Sequence, residues 1–438
     1  LRNLKVSENI VAVCDVDWHY SKSAFEAFYQ AKKYYDYRKM LDEMGDSIDA
    51  VIIATPDHTH AVAAAHAMKM GKHVYLQKPL THTVYESRYL TELAKEMKVV
   101  TQMGNQGNSG EGIRQICEWI WDGAIGEVTH VDAWTNRPIW PQGLERPVET
   151  VEVPETLNWD LFIGPASYRP FHPTYTPWNW RGWWDFGTGA LGDMACHILD
   201  PVFKALNLKY PSAVQGSSTQ INTESPPVAE IVTYEFPARA QTGKVKMPEV
   251  TVKWYDGGLL PERPEELPEG ETLGRDPNGG CIFYGTKGKL MCGCYAKDPI
   301  LLPYSEMDHY QKPEKTLRRV ETTHEMDWVR ACKDGYDNIF ANNTEPSSNF
   351  NYSGPLNEMV VMGVVAVRLQ DLKRKLLWDG QNMKFTNIDP SDTIRVVTSD
   401  RFEVKDGHPI FDTKHDTINA YEAAKEYIKH TYRSGWSL

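Results

Sequence analysis

The sequence predicts an α/β chain in two parts: a doubly wound parallel sheet, then an α+β domain on a mixed, mostly antiparallel sheet. Three observations carry this. From Ile10 to Met103 short apolar runs alternate with segments of helical period, the pattern of parallel strands joined by crossover helices. From Ala213 to Cys294 strand-like runs follow one another across turn-rich spacers, the pattern of an antiparallel sheet. At 438 residues, 41% of them hydrophobic, the chain is long enough for two cores. The boundary is expected at Gly123, giving parts 1–123 and 124–438.

Residues 1–8 read as the last turns of a helix. Ile10–Val16 is a buried strand by its apolar run. Ser23–Tyr34 and Tyr37–Met44 are helical by period. Asp49–Thr55 is a second buried strand, broken by Pro56-Asp57, and His58–Met70 is a helix closed by Gly71. The strand His73–Leu76 runs into Gln77-Lys78-Pro79. After the helix Thr83–Met97, the strand Val99–Met103 runs into Gly104-Asn105-Gln106-Gly107, and Ser109–Trp121 is the last helix of this part.

Glu127–Asn136 alternates like a strand and leads through Arg137-Pro138-Ile139-Trp140 into a proline-rich loop ending near Pro154. An aromatic run at Trp180-Arg181-Gly182-Trp183-Trp184 then feeds a glycine-rich turn at Gly187 and Gly189 and one helix over 190–206. Strands are expected at Ala213–Thr219, Ala229–Phe236, Glu249–Tyr255, Gly280–Tyr284 and Lys289–Cys294, with a loop over Leu259–Asn278. Thr323–Asp334 and Pro355–Gln370 are helices, the second apolar on most sides and so buried. The tail from Trp378 mixes short strands with a helix near Thr417–Thr431.

The net charge of −12 argues against a nucleic-acid or anionic-membrane partner. Seven cysteines without dense spacing do not suggest a disulfide scaffold. Cys292-Gly293-Cys294 is too close for a zinc ribbon, and His58-Thr59-His60 lacks an acidic partner set, so no metal is expected. No apolar run reaches the roughly 20 residues of a spanning helix.

Ligands of open parallel sheets sit at the carboxyl ends of the strands. Thr55-Pro56, Gln77-Lys78 and Asn105-Gln106 all fall at such ends and should converge, and Asp15 ends the Ile10–Val16 strand. An acid after the second strand holds the adenosine ribose and favours NAD. No arginine follows Asp15 closely to hold a 2′-phosphate, so NADP is disfavoured. Asp193 and His197 are four apart and share a helix face. A carboxylate that orients an imidazole makes a tuned proton donor or acceptor near neutral pH; the plainer alternative is a helix-start acid beside an interfacial histidine.

Three segments, in this order and spacing, resemble the glucose–fructose oxidoreductase / inositol dehydrogenase (Gfo/Idh/MocA) family of NAD(P)-dependent sugar oxidoreductases. They are Ala54-Thr55-Pro56-Asp57-His58-Thr59-His60, Gln77-Lys78-Pro79, and Asp193-x-x-x-His197 preceded by Trp180-Arg181. The resemblance implies a Rossmann domain for the first part and makes Lys78, Asp193 and His197 the catalytic group. It puts Asp15 on the adenosine ribose. Ala54, Thr55, Pro56, His58, His60, Gln77, Lys78, Asn105, Gln106, Trp180 and Arg181 complete the cofactor-facing set. Lys78, Arg137, Trp140, Trp180 and His197 are the candidates for substrate contact, the tryptophans as stacking platforms for a sugar ring.

Two departures stand out. Gln77 replaces the family's glutamate, so Lys78 loses one neighbouring negative charge. The Gly-x-Gly-x-x-Gly turn and its strand, expected ahead of Leu4, are not in the sequence, so the chain reads as an N-terminally truncated member. Gln77-Lys78-Pro79-Leu80-Thr81-His82, Met103-Gly104-Asn105-Gln106-Gly107 and the Asn136–Gly143 segment resemble a subgroup common among exported proteins of carbohydrate-degrading bacteria. A soluble bacterial protein exported through a lost leader is therefore expected, with the cytoplasm as the alternative. The resemblance also implies a homodimer or homotetramer.

The expected chemistry is oxidation of a secondary alcohol of a sugar, glycoside or polyol. A base takes the hydroxyl proton while hydride leaves the same carbon for nicotinamide. His197, held by Asp193, is the candidate base, and Lys78 the donor that stabilises the developing alkoxide. The alternatives are a redox-neutral glycoside hydrolase (oxidation, elimination, hydration, reduction) and a non-catalytic NAD-bound sensor.

Overall fold

The computed structural model describes Leu4 and residues 7–438. The helix expected over residues 1–8 falls largely outside the described residues.

The first part runs β1 (Ala12–Cys14), α1 (Lys22–Ala27), β2 (Lys32–Tyr34), α2 (Tyr37–Met44), β3 (Ala50–Ile53), α3 (Asp57–Lys69), β4 (His73–Leu76), α4 (Val84–Glu96), β5 (Thr101–Met103) and α5 (Glu111–Asp122). All its strand pairings are parallel, but among the described residues they form two sheets, β1-β2 and β3-β4-β5, rather than the single sheet expected. The helix expected over Ser23–Tyr34 is also two elements. It stops at Ala27, and Lys32–Tyr34 pairs in register with Ala12–Cys14. The pairing wins because it uses the backbone groups of both strands, while Phe25, Phe28 and Ala31 pack on Val13 beneath.

Local chemistry sets the other boundaries. At α4 a capping box is complete: Thr83 Oγ1 accepts from Glu86 N–H at 3.2 Å, and the Glu86 carboxylate accepts from Thr83 N–H at 2.9 Å. Gly123, at φ 94, ends α5 in the left-handed conformation that glycine adopts without strain.

The second part opens with β6 (Val128–Thr135), α6 (Trp159–Ile163), α7 (Gly189–Ile198) and α8 (Asp200–Ala205). The single helix expected over 190–206 breaks at Leu199, because Pro201 has no N–H to offer the carbonyl one turn back. Strands β7 (Ala213–Ser218), β8 (Glu230–Phe236), β9 (Arg239–Thr242), β10 (Val245–Met247), β11 (Val250–Tyr255), β12 (Gly279–Gly285), β13 (Lys289–Gly293) and β14 (Ile300–Leu302) follow. The β9–β10 hairpin and β14 lack a sequence signal. Each strand is only three or four residues long.

The chain continues through α9 (Glu306–His309), α10 (His324–Asp334), α11 (Tyr336–Ala341), α12 (Phe350–Arg368), β15 (Leu376–Asp379), β16 (Lys384–Phe385), β17 (Thr393–Lys405), β18 (His408–Asn419) and α13 (Ala420–Ile428). The described residues build a nine-stranded sheet in the order β14-β13-β12-β6-β11-β8-β7-β15-β16, antiparallel except for the parallel pair β6 and β11. Helix α12 starts five residues earlier than expected, because Asn349 Oδ1 caps it by accepting from Asn351 N–H at 3.0 Å; Pro355 lies inside the helix. The helix packs on α4, α7, β7 and β8 and joins the two parts in one core. In place of short strands, the tail forms the long β17–β18 hairpin, and its helix begins at Ala420 because Asn419 caps it.

Residues 324–349 return to the parallel sheet. Trp328, Val329, Ala331 and Ile339 pack with Tyr75 and Val100, and Ser348 O accepts from Met103 N–H at 2.9 Å. Within the large sheet two carboxyl groups are buried together. Asp256 accepts from Glu230 N–H and Trp254 Nε1–H, both at 3.0 Å, and Glu230 shares its surroundings. Burial, and then the Asp256 charge, push the Glu230 carboxyl well above its ordinary value. Among the described residues no helix is long and apolar enough to cross a membrane.

Candidate active site

The site lies where the carboxyl ends of β3, β4 and β5 meet α7. β4 ends at Leu76, and Lys78, two residues on, reaches across the seam between the two parts. Its ammonium donates to Asp193 Oδ1 at 2.7 Å and to the Asp193 backbone carbonyl at 2.8 Å. Arg181 Nε–H donates to the same Oδ1 at 3.3 Å. The Arg181 guanidinium lies 4.0 Å from the Trp178 ring centroid and 4.2 Å from that of Trp180, so the aromatic run serves as its mount. The turn before α7 has to pass beneath this arginine. A Cβ on Gly187 would sit 2.6 Å from the Arg181 Cα, which leaves room only for glycine.

Burial raises the Asp193 carboxyl, but the Lys78 ammonium and Arg181 guanidinium outweigh it and hold it below the ordinary carboxylate value. One turn on, His197 is 3% exposed, and its Nδ1 has no hydrogen-bond partner among the described residues. Its ring meets Tyr295 edge-on, centroids 4.5 Å apart. Burial first, then the Lys78 ammonium, hold the imidazole well below its ordinary value, so it is neutral near pH 7. The expected arrangement, with Asp193 orienting His197, is thus replaced by one in which Asp193 orients Lys78. Two charged donors compete for that carboxylate, and bonds to a charged donor are about twice as strong as those to a neutral N–H.

Asp57, not singled out from sequence, closes the seam from the other side. Its Oδ2 accepts from Thr188 N–H at 3.1 Å and Thr188 Oγ1–H at 2.8 Å, and burial pushes the carboxyl up to about 7. His58 and His60 are both buried, with ring nitrogens on backbone carbonyls. His58 bridges Phe162 O (2.9 Å) and Phe186 O (3.3 Å); His60 bridges Thr55 O and Pro79 O, each at 2.8 Å. Two carbonyls per ring favour a second proton, but burial outweighs them and pushes both imidazoles down to about 4. His60 thereby ties the end of β3 to the turn that carries Lys78.

The remaining expected residues separate by exposure. Ala54 and Thr55 are exposed beyond a half-buried β3, Pro56 is half-buried, and the Gln77 amide lies against Gly104. Asn105 is fully buried and donates through Nδ2 to Asp200 Oδ2 at 2.9 Å, so its side chain serves the seam, while Gln106 is exposed. Trp140 and Trp180 are buried; Trp140 Nε1–H donates to Gln142 Oε1 at 3.0 Å, and Arg181 lies 6.0 Å from its ring. Arg137 donates to its neighbour Asn136, and its charge acts on Tyr295.

A nicotinamide dinucleotide fits these strand ends over part of its length. Asp15 Oδ1 accepts from Asp17 N–H at 2.9 Å, and its carboxylate stands just beyond β1, at the strand end where an adenosine ribose would bind. Burial pushes that carboxyl up to about 6. Ala54 to Pro56 and Gln77 to Lys78 offer the opposite end. Gly187-Thr188-Gly189-Ala190-Leu191-Gly192 opens α7 in the second part, and no Gly-x-Gly-x-x-Gly segment follows a strand of the first part to hold the pyrophosphate.

Sequence reasoning missed Asp57, Asp200 and Tyr295. Asp57 stands inside a quoted motif and Asp200 one turn beyond His197, so spacing offered a signal for both. Tyr295 has none, since its position depends on a contact between distant segments.

Residues 1–105 match a family model described as oxidoreductase family, NAD-binding Rossmann fold, and residues 116–236 one described as oxidoreductase family, C-terminal alpha/beta domain. The chain is 27% identical over 170 residues to the levoglucosan dehydrogenase of Pseudarthrobacter phenanthrenivorans, a match covering 38% of this chain and 34% of that protein. It is 34% identical over 97 residues to a glycosyl hydrolase family 109 protein of a Shewanella species, covering 22% of this chain and 21% of that one. These matches thus span about a third or less of the relatives' length. Among solved structures, the fold is shared with the WlbA dehydrogenase from Bordetella pertussis in complex with NADH and UDP-GlcNAcA (TM-score 0.54, 14% identity, 84% of this chain, 90% of that one). It is also shared with a levoglucosan dehydrogenase in complex with NADH and levoglucosan (TM-score 0.53, 17% identity, 84% and 90%).

Proposed function

Because this chain belongs to the Gfo/Idh/MocA oxidoreductase family, we propose that it oxidises a secondary CH–OH group of a sugar, glycoside or polyol with NAD as the hydride acceptor. The observation that carries this reading is the Lys78–Asp193 pair across the seam, with a neutral imidazole one turn further along α7. A bound nicotinamide dinucleotide supplies the acceptor for the hydride. Asp15 would hold its adenosine ribose, and Ala54, Thr55, Pro56 and Gln77 its nicotinamide riboside.

The neutral His197 is a proton acceptor for the substrate hydroxyl. Lys78, held in place by Asp193, donates a hydrogen bond to the oxygen that becomes negative. Arg181, fixed on its tryptophans, keeps Asp193 ionised. A preorganised donor of this kind typically contributes about 100- to 1000-fold in rate. The identity of the sugar and of the oxidised carbon is left to experiment, and assembly as a homodimer or homotetramer is part of the proposal.

A redox-neutral glycoside hydrolase is a second reading, favoured by the match to the family 109 glycosyl hydrolase. The deciding experiment is mass spectrometry of the denatured protein for NAD or NADP, followed by a sugar panel read at about 340 nm. Stoichiometric NADH supports the dehydrogenase. Aglycone release with no lasting absorbance change, and with loss of a C2 deuterium to solvent, supports the hydrolase. No turnover in the folded, NAD-loaded protein, or turnover that is unchanged in His197→Ala, overturns both.

A further inference from the structure

A cleft of about 790 Å3 opens beside the candidate active site, between α5 and the segment that joins β13 to β14. Gln106 and Tyr295 line its inner end, and the Tyr295 ring is the one that meets His197 at 4.5 Å. The cleft therefore begins next to the candidate base and runs outward along α5 to Trp119. Its size is in the upper part of the range for small-molecule sites, about 300–1,000 Å3, and exceeds what one sugar ring fills.

Charge is distributed unevenly around it. Arg275, Lys297 and Lys312 line the cleft, and none is paired with a carboxylate among the described residues. Each lies over an aromatic ring instead: Arg275 5.9 Å from the Tyr304 centroid, Lys297 5.6 Å from Tyr295, Lys312 5.3 Å from Trp119. Of the two acids in the lining, Glu111 is already neutralised by Arg319 at 2.9 Å and Lys315 at 3.1 Å, which leaves Asp298. In a chain of net charge −12, a cleft with surplus positive charge is set up for an anion.

The wall is also built rather than incidental. Tyr295, Ala296 and Asp298 hold φ angles of +62°, +60° and +48°, a conformation side-chain-bearing residues rarely adopt. It persists because the segment is wedged against α5: a Cβ on Gly112 would lie 1.9 Å from Ala296 O.

We propose that this cleft receives the ring next to the one oxidised, and that this neighbouring ring carries an oxyanion: a uronate carboxylate or a sulfate ester. This names the substrate class of the same site and rests on the oxidoreductase reading above. The NAD-loaded full chain is titrated by calorimetry with three probes that differ only at one position of the distal ring: cellobiose, cellobiouronate and cellobiose 6′-sulfate. At low ionic strength at least one anionic probe should bind about tenfold more tightly than cellobiose, and salt should erode that preference. Arg275→Gln/Lys297→Gln should bring the ratio close to one; circular dichroism checks that the variant folds.

Tighter binding of the carboxylate alone or of the sulfate alone assigns the oxyanion. Equal affinity for all three, no binding by any, or a preference that survives in the double variant overturns the inference. So does inorganic sulfate binding as tightly as the anionic disaccharides, which would reduce the cleft to a simple ion site. A panel in which neutral sugars yield NADH while the anionic probes show no advantage removes this inference and leaves the oxidoreductase reading intact.

Discussion

Lys78 Nζ lies 2.7 Å from Asp193 Oδ1 and 2.8 Å from the Asp193 carbonyl oxygen, so a single ammonium joins the end of β4 to a turn of α7. Both side chains are mostly buried, at 16% and 14% exposure. Removing one partner of a buried pair costs about 3–5 kcal/mol, because the other charge is left behind. Arg181 still faces Asp193 when Lys78 is gone, so Lys78→Met should fall at or below the lower end, about 2–3 kcal/mol in urea unfolding. Turnover should drop by about 100-fold or more. A stability change below about 0.5 kcal/mol would mean the pair is solvated and screened.

The protonation of His197 yields a second prediction. Its folded-state value is depressed, so the folded protein releases this proton at lower pH than the unfolded chain, and above the ordinary value of 6.5 the ring is already neutral. The pH profile of kcat/KM should show no acid limb from this group near 6.5. In Lys78→Met one of the three causes of the depression (burial, Lys78 and His324) is removed, and the His197 NMR titration should move upward. A wild-type titration midpoint at or above 6.5 would contradict the burial argument.

At Gly112 two effects oppose each other. Gly112 is the second residue of α5, where alanine is preferred to glycine by less than the roughly 1 kcal/mol of a helix interior. The added Cβ, however, would lie 1.9 Å from Ala296 O, and overpacking typically costs about 1–3 kcal/mol. Gly112→Ala should therefore lower the melting temperature and displace the Tyr295 wall, which is read as weakened ligand binding. A neutral or stabilising result would show that the β13–β14 segment yields freely.

The buried Glu230 offers a test of pH-linked stability. Its folded-state value is raised well above the ordinary 4.5, so over the interval between them the folded chain keeps a proton that the unfolded chain has lost. Its contribution to stability therefore falls as pH rises. Glu230→Gln has no such proton to lose. The melting temperature of the variant minus that of the wild type should increase from about pH 5 to about pH 8. A flat difference would place the carboxyl in contact with water.

Much of this was legible in the chain itself. The apolar runs around β3, β4 and β5 and the helices between them stand out because a parallel sheet is buried on both faces, and Thr83-x-x-Glu86 announces the start of α4. The three quoted segments meet at the seam, His60 on the Thr55 and Pro79 carbonyls and Lys78 against Asp193. Other features depend on partners far away in sequence. Lys32-Lys33-Tyr34 carries no strand alternation, and only the backbone ladder to β1 makes it β2. The i,i+4 spacing placed Asp193 and His197 on one face, but could not reveal that Lys78 and Arg181 would claim the carboxylate. Tyr295 enters the site through the close fit of Gly112 to Ala296, and the return of residues 324–349 to the parallel sheet is a matter of topology.

The seam has a consequence for traffic. Besides Lys78 and Asp193, it is stitched by Asp57 to Thr188, His58 to the Phe162 and Phe186 carbonyls, and Asn105 to Asp200, all shielded from water. Jaw-like separation of the two halves would strand several of these polar atoms at once, a cost that thermal motion seldom meets. Ligand exchange must then proceed with the two parts locked together, through local side-chain motion rather than a swing of whole domains.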